Sequence, residues 1–490
     1  GEHGDGIVRG AFMEKMFGTE IYEAFKDLKN AFDPNGIMNP GKIIETPGIK
    51  EMLRLSPETK NIEIDTIMDF SADGGFANHI ELCNGQGACR RTDGGMCPSY
   101  MITREEEHST RGRANLLRLI ISGKLPYEEL HGDRLQKAMD LCVECKACKA
   151  ECPSNVDMAK LKTETLAKYY EHRRVPLRVK VFANIAKISQ IGQRFAPFSN
   201  LISRFPLTGF FAKLFLGIAS KRPLPSFANQ RFSSWFKSRP RYRNASLRGK
   251  IVYYNDTFTE FMHPEVGQAA VKFLEALGYE VIIVDQKSCC GRPAISKGQL
   301  GLAYKWAADN VSALLPYVHE GLKIVGTEPS CLLTLRDEYP DLLKSDEAIK
   351  VANSAFMVDE LIEQMVLNEQ GFADIFRDDL NLKLQVHGHC HQKAIVGTKP
   401  TISVLNAVPG YAAELIDSPC CGMAGTFGFE SEHYEASKAM GSFKLFPAIE
   451  AEDKTDWGVA VSGISCRQQI DHFTTKKTKH VVEYLAEALK

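Results

Sequence analysis

Apolar residues at helical spacing occur near the beginning of this 490-residue chain. They are Ile21, Phe25, Leu28 and Phe32. Residues at this spacing share one face of a helix, and the turn-forming residues 33–36 end the predicted helix. Two more helices are predicted over residues 111–122 and 158–171, on either side of a group of cysteines.

The pattern changes at residue 250, where short apolar runs begin to alternate with helical segments. The predicted strands are 251–254, 281–284, 323–325, 382–386, 412–416 and 459–461, and 266–277 is a predicted helix. Strands that alternate with helices form α/β units around a parallel sheet. Because the same order occurs twice, the sequence predicts an internal duplication.

The composition is that of an ordinary folded protein, with 44% apolar and 25% charged residues. Its 14 cysteines occur in tight groups. Grouped cysteines are typical of metal ligation in a reducing compartment, so a cytoplasmic location is predicted. The longest apolar stretch, residues 205–218, is interrupted by Thr208 and Lys213 and is too short to span a bilayer.

Charge is unevenly distributed, although the net charge is only −1. No Asp or Glu occurs from His172 to Asn255, whereas 17 Lys and Arg lie between Arg173 and Lys250, so the rest of the chain carries −18. Such a basic segment indicates an anionic partner. We favour a solvated or subunit-contact face, with an anionic membrane surface as the alternative. Trp235 and the phenylalanines are expected to pack internally rather than to stack on nucleic-acid bases.

The most informative motif is a run of four cysteines with two, two and three residues between them, followed by a proline. Its residues are Cys142, Cys145, Cys148, Cys152 and Pro153. In ferredoxins with this spacing, three thiolates bind one cluster and the cysteine before the proline binds the other cluster. Structural zinc is the alternative, but it needs two Cys-x-x-Cys pairs or added histidines. The spacing favours iron–sulfur ligation.

A second, irregular motif contains Cys83, Cys89 and Cys97, and Pro98 follows. By the same rule, Cys97 is predicted to complete one 4Fe-4S cluster with the first three cysteines of the regular motif. The mirrored site would have only Cys83, Cys89 and Cys152, one thiolate short of four. It is expected to hold an incomplete or differently ligated cluster, or to be empty.

Each α/β half contains adjacent cysteines followed by a glycine, with a further cysteine after a later strand. The first set is Cys289, Cys290 and Cys331, and the second is Cys390, Cys420, Cys421 and Cys466. Loops after the carboxyl ends of strands are common ligand sites, and a glycine without a Cβ permits close approach of a cluster. These cysteines are predicted metal ligands, and Thr257 stands at the fourth position of the first half. Buried cysteines without a metal are the alternative.

Two groups of polar residues near these motifs have an open interpretation. Arg111 and Arg113 would raise the reduction potential of a nearby cluster, or they begin a helix in salt bridges, which we favour. The residues His387, His389 and His391 alternate along an extended segment and share one face. Ordinary hydrogen-bonded histidines are the alternative to a ligand role.

The predicted fold is multidomain α+β and α/β, with a helical two-cluster ferredoxin-like module followed by two duplicated Rossmann-like halves. The Cys-Cys-Gly motif gives these halves the name CCG. The predicted segments are 1–50 as a separate opening segment, 51–75 as a linker, 76–172 as the ferredoxin-like module, 173–249 as a basic connector, and 250–381 and 382–490 as the CCG halves.

The opening segment resembles the end of the FAD-linked oxidase domain, the flavoprotein family of D-lactate, glycolate and D-2-hydroxyglutarate dehydrogenases. The matching residues are Gly1-Glu2-His3-Gly4-Asp5-Gly6, Arg9, and the run from Phe32-Asp33-Pro34 to Gly41-Lys42. With its cluster module and CCG halves, the whole chain resembles the C-terminal half of the fused FAD and iron–sulfur D-2-hydroxyacid dehydrogenases.

The resemblance implies roles for four residues of the opening segment. Glu2 matches a carboxylate that binds a divalent metal ion beside the flavin, and His3 matches the proposed general base for the substrate hydroxyl. Asn39 and Lys42 are the implied cofactor-binding residues near FAD. The main FAD-binding domain is expected upstream of this sequence.

The resemblance also implies a reaction, the oxidation of D-2-hydroxyglutarate or D-lactate to the 2-oxoacid. Electrons would pass from FAD through a 4Fe-4S cluster to a quinone or a carrier protein. The alternatives are a non-catalytic iron–sulfur subunit, of a glycolate oxidase, lactate-utilisation or heterodisulfide-reductase complex, and an interaction module with structural zinc. We expect a homo-oligomer and no nucleic-acid partner, with peripheral membrane contact as the alternative to a solvated or subunit-contact face.

Overall fold

The structure is a computed structural model that describes residues 4–51, 53, 59, 61–204, 213–240, 248–368 and 372–490. Its contacts divide it into two compact units, Gly1–Asn61 and Ile62–Lys490. The larger unit contains all 14 cysteines.

The smaller unit is helical. Its helices are Gly6–Gly10, Met13–Phe17 and Thr19–Phe32, so the first predicted helix is confirmed. Within this unit the apolar stripe of that helix is divided. Phe25 packs against a small core that consists of Met13, Tyr22 and Ile44, whereas Ile21, Leu28 and Phe32 remain exposed.

The cysteine motifs of residues 76–172 lie among short helices, and the two predicted helices are confirmed to within one residue. The helices are Phe76–Glu81, Pro98–Thr103, Thr110–Ile121, Asp133–Asp140, Ala147–Glu151 and Met158–Glu171. Met68 and Phe70, from the segment expected to be a linker, are buried in the core of this module. The backbone N–H groups of Ile67 and Met68 donate to the Glu164 carboxylate at 3.1 and 3.0 Å, which attaches that segment to the module.

The basic connector is helical in its described parts. Its helices are Leu177–Ala183, Ile185–Arg194, Ala196–Arg204 and Phe232–Ser238. Phe232 is fully buried and Trp235 packs beside it, as predicted. The same prediction was wrong for Phe195 and Phe198, which are 59% and 69% exposed. Phe195 caps the second helix, whose buried positions are the polar residues Ser189 and Gln193, and Phe198 lies in the third helix.

Two four-stranded parallel sheets form the rest of the larger unit. The strands are β1 Lys250–Tyr253, β2 Glu280–Ile283, β3 Ile324–Gly326, β4 Ala355–Met357, β5 Leu382–His387, β6 Tyr411–Leu415, β7 Gly458–Val461 and β8 Thr478–His480. The first sheet has the order β2-β1-β3-β4 and the second has the order β6-β5-β7-β8. The identical order confirms the predicted duplication. In both sheets the order reverses beside the first strand, where α/β sheets place ligands.

Apolar runs of β1 and β5 lie in the middle of the sheets, covered on both faces. In β1, Val252 lies opposite Ile282 of β2 and Ile324 of β3. Strands β4 and β8 were not predicted, and the Thr-Lys-His sequence of β8 has no apolar run.

Helices connect the strands of both sheets. In the first half they are Thr257–Phe261, Pro264–Ala276, Arg292–Ile295, Leu300–His319, Pro329–Leu343, Asp346–Asn353 and Val358–Asn368. In the second half they are Cys390–Ile395, Lys399–Asn406, Tyr434–Phe443, Leu445–Ile449, Ile464–Phe473 and Val481–Glu487. In the part of the chain that the structure describes, no helix combines the length and apolar character needed to cross a membrane.

Candidate metal centres

The four cysteines predicted to share one cluster line a single cavity. They are Cys97, Cys142, Cys145 and Cys148, and all four are buried. Positive φ angles at Glu144 and Lys146, 49° and 60°, turn the backbone sharply on either side of Cys145. This turn lets one short loop bring three of the sulfurs to the same cavity, so the set predicted from spacing comes together in the fold.

A buried arginine provides positive charge at this cavity. Arg113 is fully buried, and its Nη1 lies 3.6 Å from the Cys97 Sγ. Its Nε donates to the Ala138 carbonyl at 2.7 Å and its Nη2 donates to the Ser99 hydroxyl at 3.0 Å, which hold the guanidinium in place. Arg111, by contrast, pairs with Glu106 at 2.8 Å. The favoured salt-bridge interpretation therefore describes Arg111, whereas Arg113 belongs to the cluster site.

Three cysteines of this cavity, Cys142, Cys145 and Cys148, have raised pKa values and are neutral thiols when no metal is bound. Burial raises the pKa of Cys142, although the charges of Arg113 and Lys162 lower it. Burial and neighbouring groups raise the pKa of Cys145 and Cys148 well above the ordinary value. Metals bind the thiolate, so iron binding here releases the protons of the thiols. The metal–sulfur bonds then offset the cost of burying the thiolate charges. The four buried thiols fit the ligand set of a 4Fe-4S cluster.

Cysteines of the irregular motif lie beside a second arginine. Cys83 and Cys89 are buried, and Cys152 is half-buried just before Pro153. The backbone N–H of Arg111 donates to the Cys89 Sγ at 3.3 Å. Burial raises the pKa of the Cys89 thiol, and this hydrogen bond lowers it.

The first CCG half brings together Thr257, which follows β1, Cys289 and Cys290, which follow β2, and Cys331, which follows β3. Cys290 hydrogen-bonds to both Cys289 and Cys331 through its sulfur. At the fourth position, the Thr257 hydroxyl donates to the Cys289 Sγ at 3.8 Å. This half therefore offers three thiols and one hydroxyl.

The second CCG half forms a longer series of sulfurs. Hydrogen bonds between side chains connect Cys390, Cys420, Cys421 and Cys466 in that order. The His387 ring lies beside two of them, because one ring nitrogen and the sulfurs of Cys421 and Cys466 all lie within 4.8 Å of one another. This half therefore offers four thiols and an imidazole.

His387 differs from the two histidines that follow it. It is 1% exposed, its Nδ1 pairs with the Ser418 hydroxyl at 3.0 Å, and its Nε2 has no hydrogen-bond partner within the described residues. Burial lowers the pKa of His387 well below the ordinary value, so the ring is neutral and can use its lone pair to bind a metal. The His389 ring accepts a hydrogen bond from the backbone N–H of His391 at 3.2 Å, and the His391 ring pairs with the Glu144 carbonyl at 3.0 Å. The alternating spacing in the sequence made all three histidines equal candidates for metal ligands, and only the fold shows that His387 lies beside the sulfurs of Cys421 and Cys466.

Glycine in each Cys-Cys-Gly motif is required by the backbone rather than by the sulfurs. Gly291 and Gly422 have φ angles of 92° and 88°, in the left-handed region. A Cβ at Gly422 would also collide with the Ser437 carbonyl oxygen. The reason predicted from the sequence, close approach of a cluster, was therefore wrong for Gly422, where the following helix fills that space.

Cys145 connects the cluster cavity to the second CCG half. It also lines a neighbouring cavity, together with Cys390 and Cys420. The pKa of Cys145, raised first by burial, is raised further by these two cysteines. Cys145 and Ala147 line both cavities, so the two candidate centres are adjacent and Cys145 is the predicted ligand that borders both.

The residues implied by the flavoprotein resemblance lie in the smaller unit. Glu2 and His3 are outside the described residues. Asn39 has a φ angle of 48°, and the Lys42 ammonium donates to its side-chain oxygen at 3.0 Å on an exposed surface. Their contact with a flavin stays a prediction.

Models of known families match three parts of the chain. The descriptions are "FAD linked oxidases, C-terminal domain" over residues 1–43, "4Fe-4S dicluster domain" over 82–157 and "Cysteine-rich domain" over 253–336. These matches confirm the flavin-oxidase ending, the iron–sulfur module and a cysteine-rich α/β half.

Curated relatives fall into two groups, of which the first consists of separate subunits. The chain is 30% identical over 343 residues to a subunit of the anaerobic glycerol-3-phosphate dehydrogenase of Escherichia coli (strain K12), and the match covers 69% of this chain and 83% of that protein. It is 23% identical over 424 residues to the glycolate oxidase iron-sulfur subunit of the same organism, and this match covers 84% of this chain and 94% of that protein.

The second group is D-2-hydroxyglutarate dehydrogenase. The Escherichia coli (strain K12) protein is 26% identical over 537 residues, which cover 100% of this chain and 51% of that protein. The chain therefore spans about half the length of the D-2-hydroxyglutarate dehydrogenases it matches.

Proposed function

We propose a function for this chain, which belongs to the same family as the anaerobic glycerol-3-phosphate dehydrogenase subunit of Escherichia coli. It takes part in the FAD-linked oxidation of a D-2-hydroxyacid to the 2-oxoacid and transfers the electrons onward. The supporting observation is that D-2-hydroxyglutarate dehydrogenases align with 100% of the chain, including the flavin-oxidase ending over residues 1–43. A non-catalytic iron–sulfur subunit is the less supported alternative, because a pure carrier has no use for that ending.

Electron transfer is assigned to the buried cysteines. Four of them hold a 4Fe-4S cluster, namely Cys97, Cys142, Cys145 and Cys148. When bound, FAD accepts a hydride, and iron–sulfur clusters separate the two electrons into single-electron steps. Arg113 offsets the negative charge that gathers at this site.

We assign the second CCG half as the next centre along the path, because Cys145 borders both cavities. Its ligands are Cys390, Cys420, Cys421 and Cys466, with His387 as an additional donor. The first half, with Cys289, Cys290 and Cys331 beside Thr257, binds a metal with three thiolates. Both assignments follow from the convergence of the sulfurs at the carboxyl ends of the strands.

Substrate chemistry is assigned to the opening segment. Here His3 would take the hydroxyl proton of D-2-hydroxyglutarate or D-lactate, Glu2 would hold a divalent metal ion able to polarise the hydroxyl oxygen, and Asn39 and Lys42 would lie near the flavin. The family match over residues 1–43 supports this assignment.

The electron acceptor is a quinone, with a carrier protein as the alternative. The protein works in the cytoplasm as a homo-oligomer that contacts the membrane. The connector supports this proposal, because its apolar side chains at Ile191, Phe195 and Phe198 are exposed in a segment without acidic residues. An exposed apolar face with basic neighbours suits an anionic lipid surface. A cavity lined by Arg178 of this connector and Cys142 of the cluster site supports the approach of an acceptor from this side.

The test is an anaerobic stopped-flow experiment on the protein purified from its own cells. D-2-hydroxyglutarate or D-lactate should bleach the flavin absorption first and the iron–sulfur absorption afterwards, whereas L-2-hydroxyglutarate should do neither. A Cys97→Ser variant should still reduce flavin but slow the second phase. A flavin that stays oxidised with both D-hydroxyacids would rule out the dehydrogenase and favour the non-catalytic iron–sulfur protein.

A further inference from the structure

Backbone geometry in the loop of the regular motif is distinctive. The left-handed residues Glu144 and Lys146 flank Cys145, and helix Ala147–Glu151 begins directly after them with Cys148 in its first turn. Non-glycine residues rarely adopt this conformation, so two of them around one cysteine show how strongly the loop is shaped for its ligand.

The irregular motif has the same geometry at a position that holds no cysteine. Gly85 and Gly87, with φ angles of 81° and 80°, flank Gln86, and the short helix Ala88–Arg90 follows with Cys89. Residues 83, 86 and 89 also repeat the spacing of residues 142, 145 and 148. Gln86 therefore stands where the regular motif has Cys145.

Arg111 holds this loop in the shape of a cluster-binding loop. Its Nη1 donates to the Gly85 carbonyl at 3.0 Å, and its backbone N–H donates to the Cys89 Sγ at 3.3 Å. A Cβ at Gly87 would lie 2.7 Å from the same Nη1. The loop therefore retains its sulfur-facing hydrogen bond although one thiolate is missing.

Glutamine does not replace a thiolate at a cluster. Iron–sulfur clusters select soft thiolate ligands, and a neutral amide oxygen is a hard and weak donor. The Gln86 side chain is moreover exposed. The ligands of this site are thus Cys83, Cys89 and, by the rule that the cysteine before the proline serves the other cluster, Cys152. They are one thiolate short of the four that a fully cysteine-ligated second cubane of a dicluster domain requires.

We propose that this second site holds a three-iron cluster on Cys83, Cys89 and Cys152, because three thiolates ligate three irons and Gln86 occupies the place of the fourth ligand. The module then contains one four-iron and one three-iron centre. This proposal concerns the cluster alone, so it holds whichever hydroxyacid the enzyme oxidises, and its failure would leave the proposed dehydrogenase function intact.

The experiment compares iron content and EPR spectra of the full protein and its variants, purified anaerobically and oxidised mildly. The wild type should show the EPR signal of an oxidised three-iron cluster. Gln86→Cys, reconstituted with ferrous iron and sulfide, should lose that signal and gain about one iron per chain, because a fourth thiolate completes the site. Gln86→Ser is the matched control and should change neither. Cys145→Gln should do the reverse, adding a second three-iron signal.

A further variant keeps the test informative if Gln86→Cys does not fold. Cys89→Ser should abolish the three-iron signal and leave the four-iron centre in place. The proposal is wrong if the wild type has no three-iron signal, if the signal survives Cys89→Ser, or if a folded Gln86→Cys protein keeps the wild-type iron content.

Discussion

Arg113 is predicted to control the reduction potential of the four-iron cluster. In Arg113→Gln the site loses a buried cation whose Nη1 lies 3.6 Å from the Cys97 Sγ. The added electron spreads over the cluster, so we take a separation of about 7 Å, which at an effective dielectric constant of about 20 gives roughly 2 kcal/mol. For a one-electron couple this corresponds to roughly 100 mV. The potential should fall by that amount, because the reduced cluster loses its nearest positive charge.

The assay is a redox titration followed by EPR, with iron content measured on the same samples. Arg113→Lys retains the charge and should keep most of the potential, which separates electrostatics from the structural hydrogen bonds to Ala138 and Ser99. Arg134→Gln removes a charge that is 54% exposed and paired with Glu107, and should leave the potential unchanged. If Arg113→Gln has full iron content and the wild-type potential, the electrostatic reasoning is refuted.

Three further predictions concern stability, membrane binding and metal content. Burial lowers the pKa of His433, but hydrogen bonds to Asp140 and Glu430 raise it to about 9. The protonated His433 therefore stabilises the folded protein fully below pH ~6.5, and this stabilisation is lost as the pH rises through about 9. The melting temperature of the wild type should fall more steeply over this interval than that of His433→Gln. The double variant Phe195→Ser/Phe198→Ser should reduce flotation with anionic vesicles at least about tenfold, whereas Ile349→Ser, at another exposed apolar position, should float like the wild type. Equal flotation of the double variant and the Ile349→Ser control would contradict membrane docking. His387→Ala should lower the metal retained by the second CCG half about tenfold with little change in melting temperature, and unchanged retention would remove His387 from the ligand set.

Local spacing explains why much of the metal chemistry could be predicted. The cysteines of the regular motif all lie within residues 142–152, so their convergence depends on one loop. Cys97 was assigned to the same cluster by the ferredoxin rule, and it lines the same cavity as the other three cysteines, although its role as a ligand stays a prediction. The duplicated sheets were predicted for a related reason, because their central strands are buried on both faces and leave apolar runs in the sequence.

Several features could not be predicted because they depend on distant neighbours. Whether Arg111 or Arg113 faces the cluster is decided by the packing of one helix against residues 97–99 and 138. His387 is distinguished from His389 and His391 only by the sulfurs of the next two strands. The repeated spacing of the two motifs places Gln86 at the position of Cys145, and the left-handed residues on either side of both show that the two loops have the same backbone shape.

By itself, the sequence determined which residues can bind iron, because sulfur chemistry and short spacings are written directly into the chain. It also determined the repeated α/β pattern, since burial requires apolar runs at regular intervals. Only the tertiary structure decided that Cys145 borders both the four-iron site and the second CCG half, since these segments are far apart in the chain and meet by packing. Electron transfer depends on distance through space, which is a property of the fold and not of the order of residues.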